Sequence, residues 1–519
     1  MEKCFDSLWV EESINDIYEA GLKNDKLNLL FLENQNANIA IKSKEGKSIR
    51  KNIKNIIMQG TVWASLLCTS TIDKLAKIMY KNPKLTYKYK GKVDTPCLGM
   101  VDDIMCLQKC SVYSANVNAV VNAFIEGKKL KLSDKKCSRI HIQNKKCKKK
   151  KECIDLKIHE ENMKNSTKEK YLGDLITNGS IRNTVEDRRN KGFGLVNEIL
   201  AIIEEIPLGN YKIEIGLRLR QAMLVNGMLY NSEAWHAITE SEIKMLEHVD
   251  EALLRALVNG HAKTPLEFLY LEAGALPIRF IITQRRLSFH QTILKRNDKE
   301  LTRRIYEEQK NNPTPGDFIE LVKGDFKIIN EVQNDDKIRN TNIKTYKSKL
   351  KLSVKAAAFE YLKEKLRTHT KVKHIRYNKF DTQAYMKSPI FSNIDVNMLH
   401  SLRSRSADCK MNFKQKYINK NLRCSLCNIQ NEDQQHLLSC NVIQKHLKSK
   451  NITTNKVKYE DIFSEDVKKQ KEITTIFIEI FQTKKILEKR CQEAPSSDTM
   501  ELAIDFDLHS CIDESLSGK

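Results

Sequence analysis

Two groups of residues in this chain have the types and spacing of a chemical site. In Leu98–Leu107, LGMVDDIMCL, two adjacent carboxylates, Asp102 and Asp103, interrupt an otherwise apolar run. Neighbouring carboxylates repel, so such a pair is either solvated or held by a cation, and Mg²⁺ is typically bound through one or two carboxylates plus substrate phosphates. The second group is Cys424, Cys427, His436 and Cys440, spaced C-x2-C-x8-H-x3-C. Three soft thiolates and one imidazole suit a tetrahedral Zn²⁺ with all four positions filled, which makes the ion structural. Taken alone, an Asp-Asp dipeptide reads as an exposed turn and four cysteine or histidine residues as chance. Context argues against the first reading and the close ligand spacing against the second.

Local pattern shows which elements must position these residues. The Val-, Ile- and Leu-rich flanks of the acidic pair read as a tight β-hairpin with both acids at its tip. Residues 64–80 and 113–130 read as flanking helices, so a sheet with helices packed on one face is expected. Residues 12–32 have helical spacing broken near Asn24-Asp25, and residues 38–43 alternate like a strand with Gly46 as a turn after it. In the Cys/His group, the Cys-x-x-Cys turn puts two sulfurs on one side of the ion. A helix over 434–439 then carries His436 and Cys440 on one face.

From about Ile181 to Arg296 the pattern is helical. Thr239-Glu240-Ser241-Glu242 is a capping box, after which Ile243, Leu246, Val249, Leu253 and Leu257 mark one apolar face. The next helix starts near Pro265 and is interrupted around Gly274–Pro277. Residues 341–379 are lysine-rich and helical, and their stripe Tyr346, Leu350, Val354, Ala357, Tyr361 and Leu362 reads as core. The expected fold class is α+β.

Composition narrows the partners. The chain has 519 residues, enough for roughly two to four domains, with 40% apolar and 30% charged residues. A formal net charge of +23 makes nucleic acid the default partner. A membrane surface would require a basic amphipathic helix or a lipidation signal, and neither is evident; no apolar run approaches the ~20 residues needed to span a bilayer. An intracellular location, nucleus or cytoplasm, is expected, and the fourteen cysteines fit a reducing compartment. Cys137, His141, Cys147 and Cys153 match no common zinc pattern. The basic run Lys145–Lys151 reads as a solvated loop able to touch phosphate. Oligomeric state is not legible.

Beyond the acidic hairpin lies an ordered set of boxes: Glu2–Trp9, EKCFDSLW; Met58–Cys68, MQGTVWASLLC; Lys131–Ile142, KLSDKKCSRIHI; and Tyr171–Ile176, YLGDLI. In this order they resemble the palm of a reverse transcriptase, specifically that of a non-LTR (LINE-type) retrotransposon. The resemblance implies an RNA-directed DNA polymerase acting on an RNA template and a DNA primer or target. Asp102 and Asp103 would be catalytic and hold Mg²⁺ in a two-metal site. Phe5 would wall off a ribose 2′-hydroxyl, although a core Phe is an equal reading. Gln59 and Gly60 would contact template and nucleotide, with Ser65 standing where the family usually has Pro. Leu172 and Gly173 would form the primer-grip turn, for which an ordinary hairpin turn is the alternative. Lys136 could match a family lysine but reads better as solvated. The Cys/Cys/His/Cys box would be a zinc knuckle holding RNA or DNA, with Arg403, Arg405, Lys410, Lys414, Lys416, Lys420 and Arg423 supplying phosphate contacts.

The same resemblance implies domains: a partial palm over 1–180, a helical thumb over 181–308 with Arg279, Arg285 and Arg286 facing phosphate, a linker at 309–317, and a basic helical connection over 318–410. A knuckle region at 411–450, a helical segment at 451–492 and an acidic disordered tail at 493–519 follow. One catalytic acid is out of place. The family box Asp-x-Glu-Lys-x-Phe-Asp reads here from Met1 to Asp6, which puts its first Asp immediately before Met1. A truncated polymerase with little or no activity alone is therefore expected; the alternative is a non-catalytic nucleic-acid-binding remnant using thumb, basic helices and knuckle.

Overall fold

The computed structural model describes residues 8–493 apart from 36, 41, 45, 54–56, 58–60, 62, 96, 110, 134–135, 143–154, 159–160, 178–180, 206–210 and 418–420. The chain divides into two compact units. The first comprises Met1–Gly194, Val225–Val249 and Ile278–Ala357, and the second Leu195–Leu224, Asp250–Pro277 and Ala358–Lys519. Both helix and strand are present, as expected for an α+β chain. Among the described residues, no helix is long and apolar enough to cross a membrane.

In the first unit the helices Val10–Glu19, Ala64–Lys81 and Ser111–Gly127 meet around Leu8, Val10, Ile14, Leu67, Cys68 and Ile125. The break in the first helical stretch falls at Asn24, whose φ of 64° stops one helix before the next begins at Asp25. The expected sheet is not continuous. Among the described residues the strands form seven two-stranded pairs. One pair is parallel, Ser138–Ile140 with Lys164–Ser166. Strands of two to four residues offer short ladders, and each finds a single partner among the described residues. The single strand expected over 38–43 is likewise two, Ala37–Ile39 and Lys42–Ser43, each with its own partner.

Helix signals read from sequence are realised in detail. Glu242 accepts from the Thr239 backbone N–H at 2.7 Å and its own N–H donates to Thr239 Oγ1 at 3.3 Å, a reciprocal capping box. The stripe on the Ile343–Arg367 helix is core, with Leu350, Val354 and Leu362 buried. Gln309–Asp317, expected as a linker, lies inside the first unit. Asp317 there accepts from Lys90 Nζ at 2.5 Å and Gln309 Nε2 donates to Tyr89 at 3.0 Å, so the prolines shape a pinned loop.

The second unit is built around a buried carboxylate. Glu272, on the Leu266–Ala273 helix, accepts from Arg403 Nε at 3.0 Å and Nη2 at 2.8 Å, and from the hydroxyls of Tyr377 at 2.5 Å and Tyr385 at 2.6 Å. Burial pushes its pKa up, but the guanidinium and two phenols prevail and hold it below the usual carboxylate value. That helix ends where expected, at Gly274 with φ 59°, and a Cβ there would stand 2.2 Å from the Thr382 amide nitrogen. Only glycine fits both constraints. A second buried set, Arg220 bidentate to Asp250 at 2.6 Å with Tyr270 adding 2.8 Å, braces the same unit.

Candidate active site and metal centre

The four predicted zinc ligands converge in the second unit. Their ligand atoms all lie within 4.8 Å of one another, the only group of three or more His, Cys, Asp or Glu ligands so placed among the described residues. Cys424 and Cys440 sulfurs are 4.0 Å apart and Cys427 Sγ is 3.3 Å from His436 Nε2. Bond lengths of about 2.3 Å to sulfur and 2.0–2.1 Å to nitrogen in a tetrahedral zinc site imply spacings of about 3.8 and 3.6 Å, so the donor set fits the ion.

Local backbone explains the convergence. The Cys424 N–H donates to Gln430 O at 2.7 Å, and the Asn428 N–H closes the Cys-x-x-Cys turn onto Cys424 O at 2.9 Å. Asn428 takes φ 53°, and Asn tolerates that region. Asp433 caps the Gln434–Ser439 helix by accepting from His436 N at 2.7 Å. The helix thus starts with the imidazole already aimed.

Supporting residues that the spacing did not reveal complete the centre. Gln430 Oε1 sits 3.0 Å from His436 Nδ1, leaving Nε2 toward the sulfurs. Glu432 is buried and accepts from Ser425 N–H at 3.2 Å and from Lys484 Nζ at 2.7 Å. Such partners orient metal ligands. Lys484 belongs to the Val467–Glu493 helix, which ties the Cys/His segment to that helix. The Cys440 thiol beside it and the Cys427 and Leu426 amides hold the Cys424 sulfur well below the ordinary thiol value, while the same contact pushes Cys440 up.

The acidic hairpin lies in the first unit. Leu98 pairs with Met105, Gly99 with Ile104 and Met100 with Asp103, leaving Val101-Asp102 as a two-residue turn. Asp102 is half-buried and Asp103 exposed. Val101 has φ 58°, an outlier for a β-branched residue. Its side chain packs against the Leu67 and Ile125 core, which compensates for the backbone strain. Below the tip, Ile104, Cys97 and Cys106 rest on Leu75, Met79 and Val117. Burial pushes the Cys106 thiol up to about 12, so it is an inert wall.

A second hairpin, Lys168–Tyr171 with Asp174–Thr177, meets the first: the Tyr171 hydroxyl donates to Leu98 O at 3.3 Å. Burial and then the Asp103 carboxylate raise the Tyr171 phenol above its ordinary value. Its turn residues, Leu172 and Gly173, both have positive φ, 47° and 90°, as a type I′ turn requires. The turn is held firmly. Arg188 donates to Gly173 O at 2.7 Å and Asp174 Oδ1 at 2.8 Å, and Asn231 Nδ2 donates to Leu172 O at 3.2 Å. A Cβ on Gly173 would stand 2.9 Å from Tyr230 Cε1. Gly173→Ala should therefore lower unfolding stability by about 1–2 kcal/mol, read as a lower urea midpoint at unchanged slope.

Residues 1–174 match the family model described as reverse transcriptase (RNA-dependent DNA polymerase). No curated protein matches the chain. The reverse-transcriptase match contains the whole Asp102-Asp103 hairpin and reaches the Leu172-Gly173 turn; the zinc-ligand group lies beyond it. Phe5, Asp6, Gln59, Gly60, Cys147 and Cys153 fall outside the described residues. No third carboxylate joins Asp102 and Asp103 among the described residues.

Four arginines expected to face phosphate are engaged inside the protein. Arg279 pairs with Glu240 and Glu247, Arg286 with buried Asp325, and Arg285 donates to Leu229 O and to Asn226. Arg403 is the partner of Glu272. Helical spacing places a basic residue on a face, but which faces are covered is decided by distant elements. Lys410 is similarly occupied, donating to Arg423 O at 2.7 Å, whereas Lys414 and Lys416 are exposed.

Proposed function

We propose that this chain acts on primer–template nucleic acid as part of a reverse transcriptase of the non-LTR (LINE-type) kind, with Asp102 and Asp103 as its metal-holding carboxylates. The observation that supports this most is the acidic hairpin, which lies inside the reverse-transcriptase match and is hydrogen-bonded at its Leu98 end, through Tyr171, to the hairpin that carries Leu172 and Gly173. Two adjacent hard carboxylates, Asp102 on the turn and Asp103 at the start of the following strand, suit Mg²⁺, which when bound supplies charge stabilisation at phosphoryl oxygens. The protein's own part is positional. Val101, wedged into the core, fixes the turn, and the Arg188-braced Leu172-Gly173 turn offers a rigid ledge for a primer strand. Cys424, Cys427, His436 and Cys440 hold a structural Zn²⁺ that shapes a nucleic-acid-gripping knuckle.

Catalysis needs more than these two acids. Two ions about 3.5–4 Å apart draw on several carboxylates, and no third one stands with Asp102 and Asp103 among the described residues. The second reading is a non-catalytic binding remnant, favoured by the net charge of +23 and the converging Cys/His group. Primer extension on an RNA template with dNTPs and Mg²⁺ tests both. Background extension by the 519-residue chain, unchanged in Asp102→Ala, is expected for the binding reading. Extension by the chain itself, abolished in Asp102→Ala, would show that its metal site is complete.

A further inference from the structure

In the second unit, three segments distant in sequence close around a pocket of about 340 Å³. Lys263 comes from the loop before the Leu266–Ala273 helix, His369 and Lys371 from the turns after the Ile343–Arg367 helix, and Phe413, Lys414 and Lys416 from the tight Lys410–Tyr417 segment. No Asp or Glu lines it. Its volume sits at the low end of the ~300–1,000 Å³ range of small-ligand sites, which suits one small group rather than a folded partner.

The lining is chemically two-sided. Phe413 sits at a kink in its segment, φ −125° and ψ 37°, and its ring lies 5.1 Å from that of His261. Lys371 and Lys416 ammonium groups stand 5.3 and 5.0 Å from the Phe413 ring centre. Lys263 Nζ is held 3.3 Å from Gln415 Oε1, and Lys371 donates to the Asn412 carbonyl. Glu267, paired at 3.2 Å, engages His369. The remaining cations act on one another. Burial and then Lys263 lower Lys371, and burial followed by Lys371, Lys416 and Lys263 lowers His261, so the imidazole beside Phe413 is neutral at pH 7. A concentration of positive charge that disfavours itself is relieved by an anion.

We propose that this pocket takes a nucleotide of single-stranded nucleic acid, its phosphate among Lys263, Lys371, Lys414 and Lys416 and its base against Phe413. The pairing of a cationic groove with an aromatic platform is what single strands require, because every base has a face to stack but only an unpaired base can present it. A duplex could use the lysines alone, and an acidic peptide would gain nothing from the ring. The inference shares the nucleic-acid reading of the chain but needs neither Asp102 nor Asp103.

The test is fluorescence anisotropy of a labelled oligo(dU) with the full chain, without dNTP or primer terminus, so its failure and that of the polymerase reading are separable. Phe413→Ala should weaken binding roughly tenfold, and Phe413→Trp should retain it. Lys371→Gln with Lys416→Gln should also weaken binding and flatten the slope of log K against log salt by about 1.4, two contacts at ~0.7 each. A 5-iodouridine strand should photocrosslink to Phe413. Unchanged affinity in Phe413→Ala, with a crosslink mapping elsewhere, would overturn the proposal. So would equal loss for single strand and duplex in the lysine variant with no effect at Phe413, or displacement by polyglutamate as effective as by unlabelled oligo(dU). Lys416 is exposed, so Lys416→Gln alone tests the charge without disturbing the fold.

Discussion

Exchange of Cys424 and Cys427 for Ser is expected to reduce the zinc content of the purified protein from one equivalent to none and to unfold the knuckle. The expectation rests on how little backbone bonding of its own the Cys-x-x-Cys turn has. The Cys-x-x-Cys turn is closed by two backbone hydrogen bonds and faces a six-residue helix, too short to be stable on its own. Structural zinc contributes apparent free energies of ~10–16 kcal/mol in finger-sized peptides, far more than such contacts supply. Glu432 would then lose its ordered Ser425 amide and leave Lys484 with a misplaced partner, so the damage should extend into the Val467–Glu493 helix. Elemental analysis reads the metal, and amide exchange across residues 421–449 and 467–493 reads the unfolding. Unchanged metal content would remove zinc from the account of this protein.

The second large effect lies far from any ligand. Glu272→Ala would leave the Arg403 guanidinium, 3% exposed, without its carboxylate, and the Tyr377 and Tyr385 hydroxyls would lose their acceptor. Breaking a buried pair by removing one partner costs about 3–5 kcal/mol, a large share of the ~5–15 kcal/mol typical of a folded domain. Denaturant titration should show the second unit unfolding at a lower midpoint, with Glu272→Gln intermediate because the amide oxygen still accepts from one of the two tyrosines. The pH dependence has a definite sign. Glu272 has a lowered pKa in the folded state, so its contribution is present above the unfolded carboxylate pKa and is lost as pH falls through the folded one. In Glu272→Gln this part of the acid sensitivity should disappear.

Much of the candidate site is legible because it is local. The acidic pair between apolar flanks announces a hairpin, although its turn is Val101-Asp102 and Asp103, expected at the tip, stands in the strand after it because it pairs with Met100; ligand spacing announces Cys424, Cys427, His436 and Cys440. Thr239 with Glu242, and Gly274 before Pro277, mark helix ends through contacts spanning only three or four residues. The basic side chains are where sequence reading failed. Arg279, Arg286 and Arg403 sit on helices with charges facing outward by any pattern, yet each is consumed by a carboxylate 32 to 131 positions away. Among the described residues the expected sheet is realised only as separate strand pairs, for a related reason: alternation specifies that a strand forms, but its lateral partner comes from elsewhere in the chain.

The sequence by itself determined the hairpin that carries the two acids, the four candidate metal ligands, several helix ends and the excess of positive charge, because each depends on residue type and short-range spacing. Tertiary structure alone decided which cations remain for a ligand. It buried Arg403 against Glu272, placed Glu432 and Gln430 behind the metal ligands, and brought Lys263, Lys371 and Lys416 around Phe413. Burial and charge pairing are properties of packed neighbours, and neighbours from distant segments exist only once the chain has folded.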